Sequence, residues 1–303
     1  MLEVLVTGGA GFIGSNLALR LEELGHSITV VDNLSSGTRS NLSSFRGNFI
    51  ETDISYPFNF NHDFDAIFHM AAITDPRYRN GREIYEKNVN GFKLMLDLAR
   101  KNNARLVYAS TANLYGNGPI PMRENQKKKI ITAYGKSKLQ IDKIASTYFR
   151  KMHIAGLRYF NVFGPRESAK GRAASMIYHL YKAMKVGKNP RLFKFGEQKR
   201  DHIYVKDVVD ATIMALDAPS DIYNIGTGVA TSFNYLVALI NEILGTNLHP
   251  GYFDIPYNAK SYQANTQADT RLAEKKLGFK ARYSLKEGVK DYITWLEEES
   301  HNL

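Results

Sequence analysis

Four glycines within seven residues, Gly8-Gly9-Ala10-Gly11-Phe12-Ile13-Gly14, constrain this chain more than any other stretch of it. They follow the apolar run Val4-Leu5-Val6 almost at once and open a stretch with helical spacing. At a strand-to-helix turn glycine permits the sharp reversal and lets a pyrophosphate approach the backbone, where a side chain would block it. The helix turns its positive dipole end toward the same place. The next apolar run ends at Asp32, 18 residues after Gly14, where a carboxylate accepts both ribose hydroxyls of an adenosine. Strand, turn, helix and acid in that order predict a dinucleotide site containing Gly8, Gly11, Phe12, Ile13, Gly14 and Asp32. Asp32 repels a 2′-phosphate and favours NAD, whereas Asn33 and Arg39 nearby suit NADP, so NAD and NADP both stay open. Asp53, which ends another short strand, reads equally as a contact to the adenine amine or as a turn Asp.

The rest of the first half repeats this order. Val4 to Thr7, Ser27 to Val31, Ala66 to Met70 and Leu106 to Ala109 are strands by composition, and Asn16 to Leu24 and Tyr85 to Lys101 carry apolar residues at helical spacing. Strands that are continuously apolar are buried on both faces. The expected fold is therefore α/β, a Rossmann-type doubly wound parallel sheet with a smaller, discontinuous C-terminal substrate lobe. Beyond residue 165 the pattern loosens into Gly-, Pro- and Lys-bearing loops, returning to core character at His202 to Leu216 and Tyr223 to Ile225. The nucleotide-binding domain is accordingly expected over 1–165 plus about 202–228, and the substrate lobe over 166–201 and 229–303. Leu285 to Glu298 reads as a closing amphipathic helix.

Composition narrows the function. The chain has no cysteine, which excludes a thiol nucleophile and a zinc knuckle and fits a reducing, cytoplasmic setting. There is no signal-like start and no uncharged stretch long enough to span a bilayer. Lys and Arg outnumber Asp and Glu by 40 to 30, which steers anions of any kind. Nucleic acid is not the expected partner, because the charge is spread out and accompanied by no recognition module. The densest run, Lys127-Lys128-Lys129, reads as a solvated loop.

A second constellation carries chemistry. Tyr134 and Lys138 lie four apart, on one face of a helix. A phenol with a pKa near about 10 is a poor base at neutral pH, and a neighbouring ammonium together with a positive nicotinamide would lower it. Ser110-Thr111 ends the Leu106 to Ala109 run at the carboxyl edge of a parallel strand, where such folds bind ligands. His69, at the end of another strand, reads as a satisfied core histidine.

Thr7-Gly8-Gly9-Ala10-Gly11-Phe12-Ile13-Gly14, Asp32-Asn33-Leu34, Ala71-Ala72, Tyr115-Gly116 and Tyr134-x-x-x-Lys138 resemble the extended short-chain dehydrogenases, in their sugar-nucleotide epimerase and dehydratase group, along the whole chain. The resemblance implies catalytic roles for Thr111, Tyr134 and Lys138. It adds Ile54, Ala71, Ala72, Asn88, Tyr134 and Lys138 to the cofactor contacts, and a tightly bound NAD or NADP. Dehydratases of this group follow the Thr with an Asp-Glu pair, where this chain has Ala112-Asn113, so dehydration is not expected. A homo-oligomer with no membrane span is implied, dimerising through helices near residues 90 and 140.

The second half is similar to the ADP-glycero-manno-heptose 6-epimerases: Arg158 to Glu167, Lys170, Ala174-Ser175-Met176, Phe195 to Asp201 and Tyr262 to Asp269. That likeness implies Lys170 as a second acid/base opposite Tyr134. Without it, Lys170 reads as a solvated loop lysine. It also implies a nucleotide-diphosphate sugar bound by Asn161, Arg166, Ser175, His179, Phe195, Arg200 and Tyr262. Arg166 and Arg200 are expected at the pyrophosphate, because a fork donor suits phosphate oxygens. Inverting a carbinol carbon through a transient ketone needs proton handling on both faces. The alternatives are a UDP-glucose/UDP-galactose 4-epimerase, which needs no second base at Lys170, and a non-catalytic NAD(P)-sensing regulator.

Overall fold

In a computed structural model of the chain, which describes residues 1–75, 80–130, 132–254 and 262–301, the first strand β1 (Glu3–Thr7) is an interior strand of a seven-stranded sheet. To one side lie β2 (Ser27–Asp32) and β3 (Asn48–Glu51). To the other lie β4 (Ala66–His69), β5 (Arg105–Thr111), β6 (Ile154–Tyr159) and β10 (Ile222–Ile225). Every pairing in the sheet is parallel. Parallel neighbours require crossovers, and helices supply most of them: α1 (Phe12–Glu23), α2 (Gly81–Asn102), α3 (Ala133–Ser146) and α5 (Val205–Met214).

Alternate residues of β1 show why both faces are apolar. Val4 and Val6 join the core formed with Leu17 and Leu21 of α1 and Val208 of α5, whereas Leu5 joins the core formed with Phe92 and Met95 of α2 and Ile141 of α3. A strand buried on both sides has no polar face to alternate with. The Rossmann-type α/β sheet expected from the sequence is thus the observed one.

The C-terminal lobe is built from β7 (Asn161–Phe163), β9 (Lys199–Tyr204) and β11 (Ala230–Ser232), the pair β8 (Arg191–Phe193) and β12 (Gly251–Phe253), and the helices α4 (Met176–Lys185), α6 (Phe233–Leu244) and α7 (Leu285–His301). Helix α4 lies where the sequence reads as loops. Its apolar stripe, Ile177, Leu180, Tyr181 and Met184, is buried, and the spacing i, i+3, i+4, i+7 is the signal that the flanking Gly171 and Gly187 obscure. Among the described residues no helix is long and apolar enough to cross a membrane.

Lys128 departs from its expected place. It is half-buried, its Nζ donates to the Glu124 and Gln126 carbonyls at 2.5 and 2.6 Å, and it stands 4.9 Å from the Tyr115 ring centroid. Burial, helped by repulsion from Arg158, pushes it down to about 8. The reason is tertiary: the 124–128 turn folds onto Tyr115. Beneath that turn Arg158 donates to Asp142 Oδ2 through Nε at 3.0 Å and Nη2 at 2.8 Å, with both side chains buried. Removing one partner of such a pair costs about 3–5 kcal/mol, because the other charge stays buried.

His202 on β9 is 5 % exposed and its two ring nitrogens have no partner among the described residues, where His69 is bonded through one nitrogen. Burial, with the Arg200 charge, drops His202 to about 3. A folded value below the unfolded 6.5 means that the unfolded chain binds the extra proton between pH 3 and 6.5, so stability falls as pH falls through that window. One group contributes up to about 1.4 kcal/mol per pH unit there. His202→Phe should therefore lose about 1.5–2 kcal/mol less than the wild type between about pH 6.5 and 5 in urea unfolding; parallel pH slopes would contradict this.

Candidate active site

The glycine turn brings three segments together. Gly8 has φ +68°, and a Cβ there would lie 2.6 Å from the Ala71 amide nitrogen; one on Gly14 would lie 2.1 Å from the Gly8 carbonyl oxygen. Only glycine allows α1 to start so close to the exit of β4 at Ala71 and Ala72. Thr7 Oγ1 bonds His69 Nδ1 at 3.0 Å and accepts from the Ala71 amide at 3.4 Å, which ties the ends of β1 and β4. No side chain caps α1 at Gly11, so the first-turn amides of Phe12, Ile13 and Gly14 keep their capacity for phosphate oxygens. The cradle fits a dinucleotide.

Asp32, at the end of β2, accepts from the Ala10 amide at 3.0 Å and the Leu34 amide at 2.8 Å; burial raises its pKa and the two amides oppose the rise. Asn33 accepts from the Ser35 amide, and Arg39 pairs with Glu51 at 3.3 Å and lies 4.2 Å from the Phe49 ring centroid. Asp53 accepts from the Ser55 amide and hydroxyl and from Lys87, which is the turn geometry. Ile54 is buried against Gly91. Asn88 holds both backbone groups of Ile73 and donates to Ser137 Oγ at 3.1 Å, fastening the β4 exit to α3.

Helix α3 begins at the end of β5 for a local reason. Thr132 caps it by accepting from the Gly135 amide and donates to Asn113 Oδ1 at 2.7 Å, while the Asn113 amide donates to Thr111 Oγ1 at 3.1 Å. The chain Thr111, Asn113, Thr132 thus sets the first turn of α3, which carries Tyr134. The Tyr134 hydroxyl faces Thr111, and Lys138 Nζ lies 5.8 Å from the Tyr134 ring centroid. Lys138 is 1 % exposed and donates one N–H to the Ala109 carbonyl at 2.7 Å, leaving two donors for other oxygens.

The expected lowering of Tyr134 by Lys138 is not what the protein alone produces. Burial pushes Tyr134 up to about 12, against the Thr111 hydrogen bond, and Asp142 adds to the rise. Burial also brings Lys138 down to about 8. Desolvation disfavours both charged forms, and it outweighs one ammonium across a ring.

Lys170 sits in the 3-10 segment Ser168–Ala173, half-buried, with Nζ 5.1 Å from the ring centroid of Phe12, the first residue of α1. The structure therefore brings its amine to the glycine turn. Burial lowers its pKa and Glu167 opposes that. Arg166 has φ +70°, and its Nη1 donates to Asn16 Oδ1 on α1 at 3.1 Å. Ser175 caps α4 and donates its hydroxyl to Glu167.

Asn161 accepts from Thr266 Oγ1, and His179, half-buried, meets Tyr178 edge-on. Arg200 is 8 % exposed, lies 5.6 Å from the Phe233 and 5.1 Å from the Tyr262 ring centroids, and donates to the Lys199 and Ala264 carbonyls. Phe195 is 66 % exposed, edge-on to Tyr252.

Asp201, beside Arg200, escapes motif reasoning. Its buried carboxylate accepts from the Thr227 amide and hydroxyl and the Gly228 and Ala268 amides, at 2.7 to 2.9 Å. It binds the exit of β10 to the segment after Tyr262. One acid inside a polar run carries no spacing signal for that role.

The comparisons agree with this geometry. A model of the NAD dependent epimerase/dehydratase family matches residues 4–226. The chain is similar to ADP-L-glycero-D-manno-heptose-6-epimerase of Brachyspira hyodysenteriae, with 34% identity over 97% of this chain and 98% of the other. It superposes on the crystal structure of ADP-L-glycero-D-manno-heptose-6-epimerase of Helicobacter pylori with a TM-score of 0.92 and 35% identity, covering 98% of this chain and 96% of that one. The UDP-glucose 4-epimerase of Thermotoga maritima, solved with UDP-glucose, gives 0.90 and 30%, covering 98% and 99%. The chain belongs to the NAD dependent epimerase/dehydratase family and is an NAD-dependent sugar-nucleotide epimerase.

Proposed function

We propose that the chain inverts C6 of ADP-glycero-manno-heptose, using NAD. The observation that carries the substrate reading is the position of Lys170. Its amine rests on Phe12 at the glycine turn, while the Tyr134 hydroxyl faces Thr111 at the end of β5. Two separate proton-handling groups suit a reaction in which a carbinol loses and regains hydrogen on different faces. A 4-epimerase has no need of the second one.

When bound, an oxidised nicotinamide supplies a hydride acceptor and a positive charge. That charge adds to the Lys138 ammonium and opposes the burial that holds Tyr134 protonated. Thr111 Oγ1 bonds the substrate oxygen, and Tyr134 moves the proton on it. Lys138, fixed by the Ala109 carbonyl, directs its remaining N–H groups to ribose hydroxyls. Lys170 serves the carbinol oxygen in its other orientation. Arg200, stacked between two rings, faces the diphosphate. The homo-oligomer is formed through α2 and α3, which pack side by side on one face of the sheet.

The preference for NAD rests on Asp32 at the end of β2 and on Arg39, which is engaged by Glu51 and Phe49. Fluorescence titration should give NAD binding about tenfold tighter than NADP, the ratio that about 1.4 kcal/mol of like-charge repulsion produces; equal affinities would overturn the assignment.

Proton NMR of the purified protein with ADP-D-glycero-D-manno-heptose should show conversion to the C6 epimer, and Lys170→Ala should lower kcat by about 10²- to 10⁴-fold. Conversion of UDP-galactose alone would make the chain a 4-epimerase, and an unimpaired Lys170→Ala enzyme would remove Lys170 from the acid/base pair.

A further inference from the structure

The Lys170 segment leaves β7 and returns to α4 through one buried side chain. Glu167 has no exposed surface. Its Oε1 accepts from the Gly164 amide at 3.4 Å and the Ser175 hydroxyl at 2.7 Å, and its Oε2 accepts from the Ser175 amide at 2.7 Å. Gly164 lies just past β7 and Ser175 caps α4, so both ends of the loop that carries Lys170 meet at the same carboxylate. The Lys170 amide donates to the Glu167 carbonyl at 3.0 Å, which places the lysine one turn beyond the clasp. From α7 the Tyr292 hydroxyl faces the same carboxylate.

The loop is also fixed to the nucleotide turn. Asn16 on α1 donates to the Pro165 carbonyl at 3.0 Å and accepts from Arg166 Nη1 at 3.1 Å, and Asn41 donates to the Ala10 and Arg166 carbonyls at 3.0 and 3.4 Å. These contacts hold the front of the loop. Its return to α4 depends on Glu167, and between them Gly171 takes φ +53°, a conformation that gives the segment little regularity of its own. A buried carboxylate with three donors holds its position far better than such a backbone does.

We propose that Glu167 is the positioning residue for Lys170: it closes the loop that carries the amine. This rests on the reading of Lys170 as the second acid/base. Two groups that serve opposite orientations of one hydroxyl act on different epimers, so damage to Lys170 alone must be lopsided. Tyr134 still deprotonates its own epimer, and the other epimer loses its base.

The test is a single turnover of the full-length, cofactor-loaded enzyme with each C6 epimer of the ADP-heptose separately, followed by the absorbance of reduced nicotinamide. Lys170→Ala should slow one epimer and spare the other. Glu167→Gln should slow the same epimer by about 100-fold, the loss expected from a reacting group displaced by about 1 Å, and leave the other within about threefold. Ser175→Ala, which keeps the carboxylate and removes one of its donors, should show the same lopsidedness at a few-fold and serves if Glu167→Gln does not fold. If Lys170→Ala slows both epimers equally or neither, the reading of Lys170 fails. If Lys170→Ala is lopsided while the Glu167 and Ser175 variants slow both epimers in proportion to a lower melting temperature, Glu167 is merely structural and the proposal fails alone.

Discussion

Seven strands hydrogen-bonded in parallel cannot be joined by tight turns, so each must be reached by a crossover, and every strand delivers its carboxyl end to the same edge of the sheet. The site follows from that constraint. Thr7 ends β1, Asp32 ends β2, His69 ends β4 and Thr111 ends β5. The loops leaving that edge bring the glycine turn, Ala71 and the start of α3. Side chains then do locally what the topology cannot: Thr7 joins two strand ends through His69, Asn88 fastens the β4 exit to α3, and Thr132 starts α3 where Tyr134 meets Thr111.

Burial is the opposing force throughout this edge. It holds Tyr134 up to about 12 and brings Lys138 down to about 8, so the protein alone keeps the Tyr134 hydroxyl protonated. A base of that kind becomes active only when positive charge is added beside it. Deeper in the fold the same low dielectric makes Arg158 and Asp142 dependent on each other. Asp142 lies two turns beyond Tyr134 on α3, and it raises both Tyr134 and Lys138.

The sheet and the nucleotide turn were legible because they depend on local patterns. Continuous apolar runs mean burial on both faces, and glycines at fixed offsets mean backbone crowding: a Cβ on Gly14 would lie 2.1 Å from the Gly8 carbonyl oxygen. The pair Tyr134 and Lys138 was legible as one helix face. What the sequence hides is tertiary. Helix α4 lies between glycines that read as loop signals, and Lys128 finds its carbonyl and aromatic partners only after the 124–128 turn folds onto Tyr115. The effect of burial on Tyr134 depends on how completely α3 covers the end of β5. Asp201 and Glu167 are single acids whose partners are amides of distant segments, and backbone amides leave no trace in composition.

The proposed inversion removes and returns hydride at one carbinol carbon, with the protein moving only the hydroxyl proton. A sugar nucleotide carrying deuterium at the inverted carbon tests it most directly, with the enzyme run to equilibrium in ordinary water. Hydride removal and return at that carbon leaves the label in full in both epimers. Loss of deuterium to the solvent would mean that the carbon is inverted by proton abstraction, and would contradict the roles assigned here to Thr111, Tyr134 and Lys138.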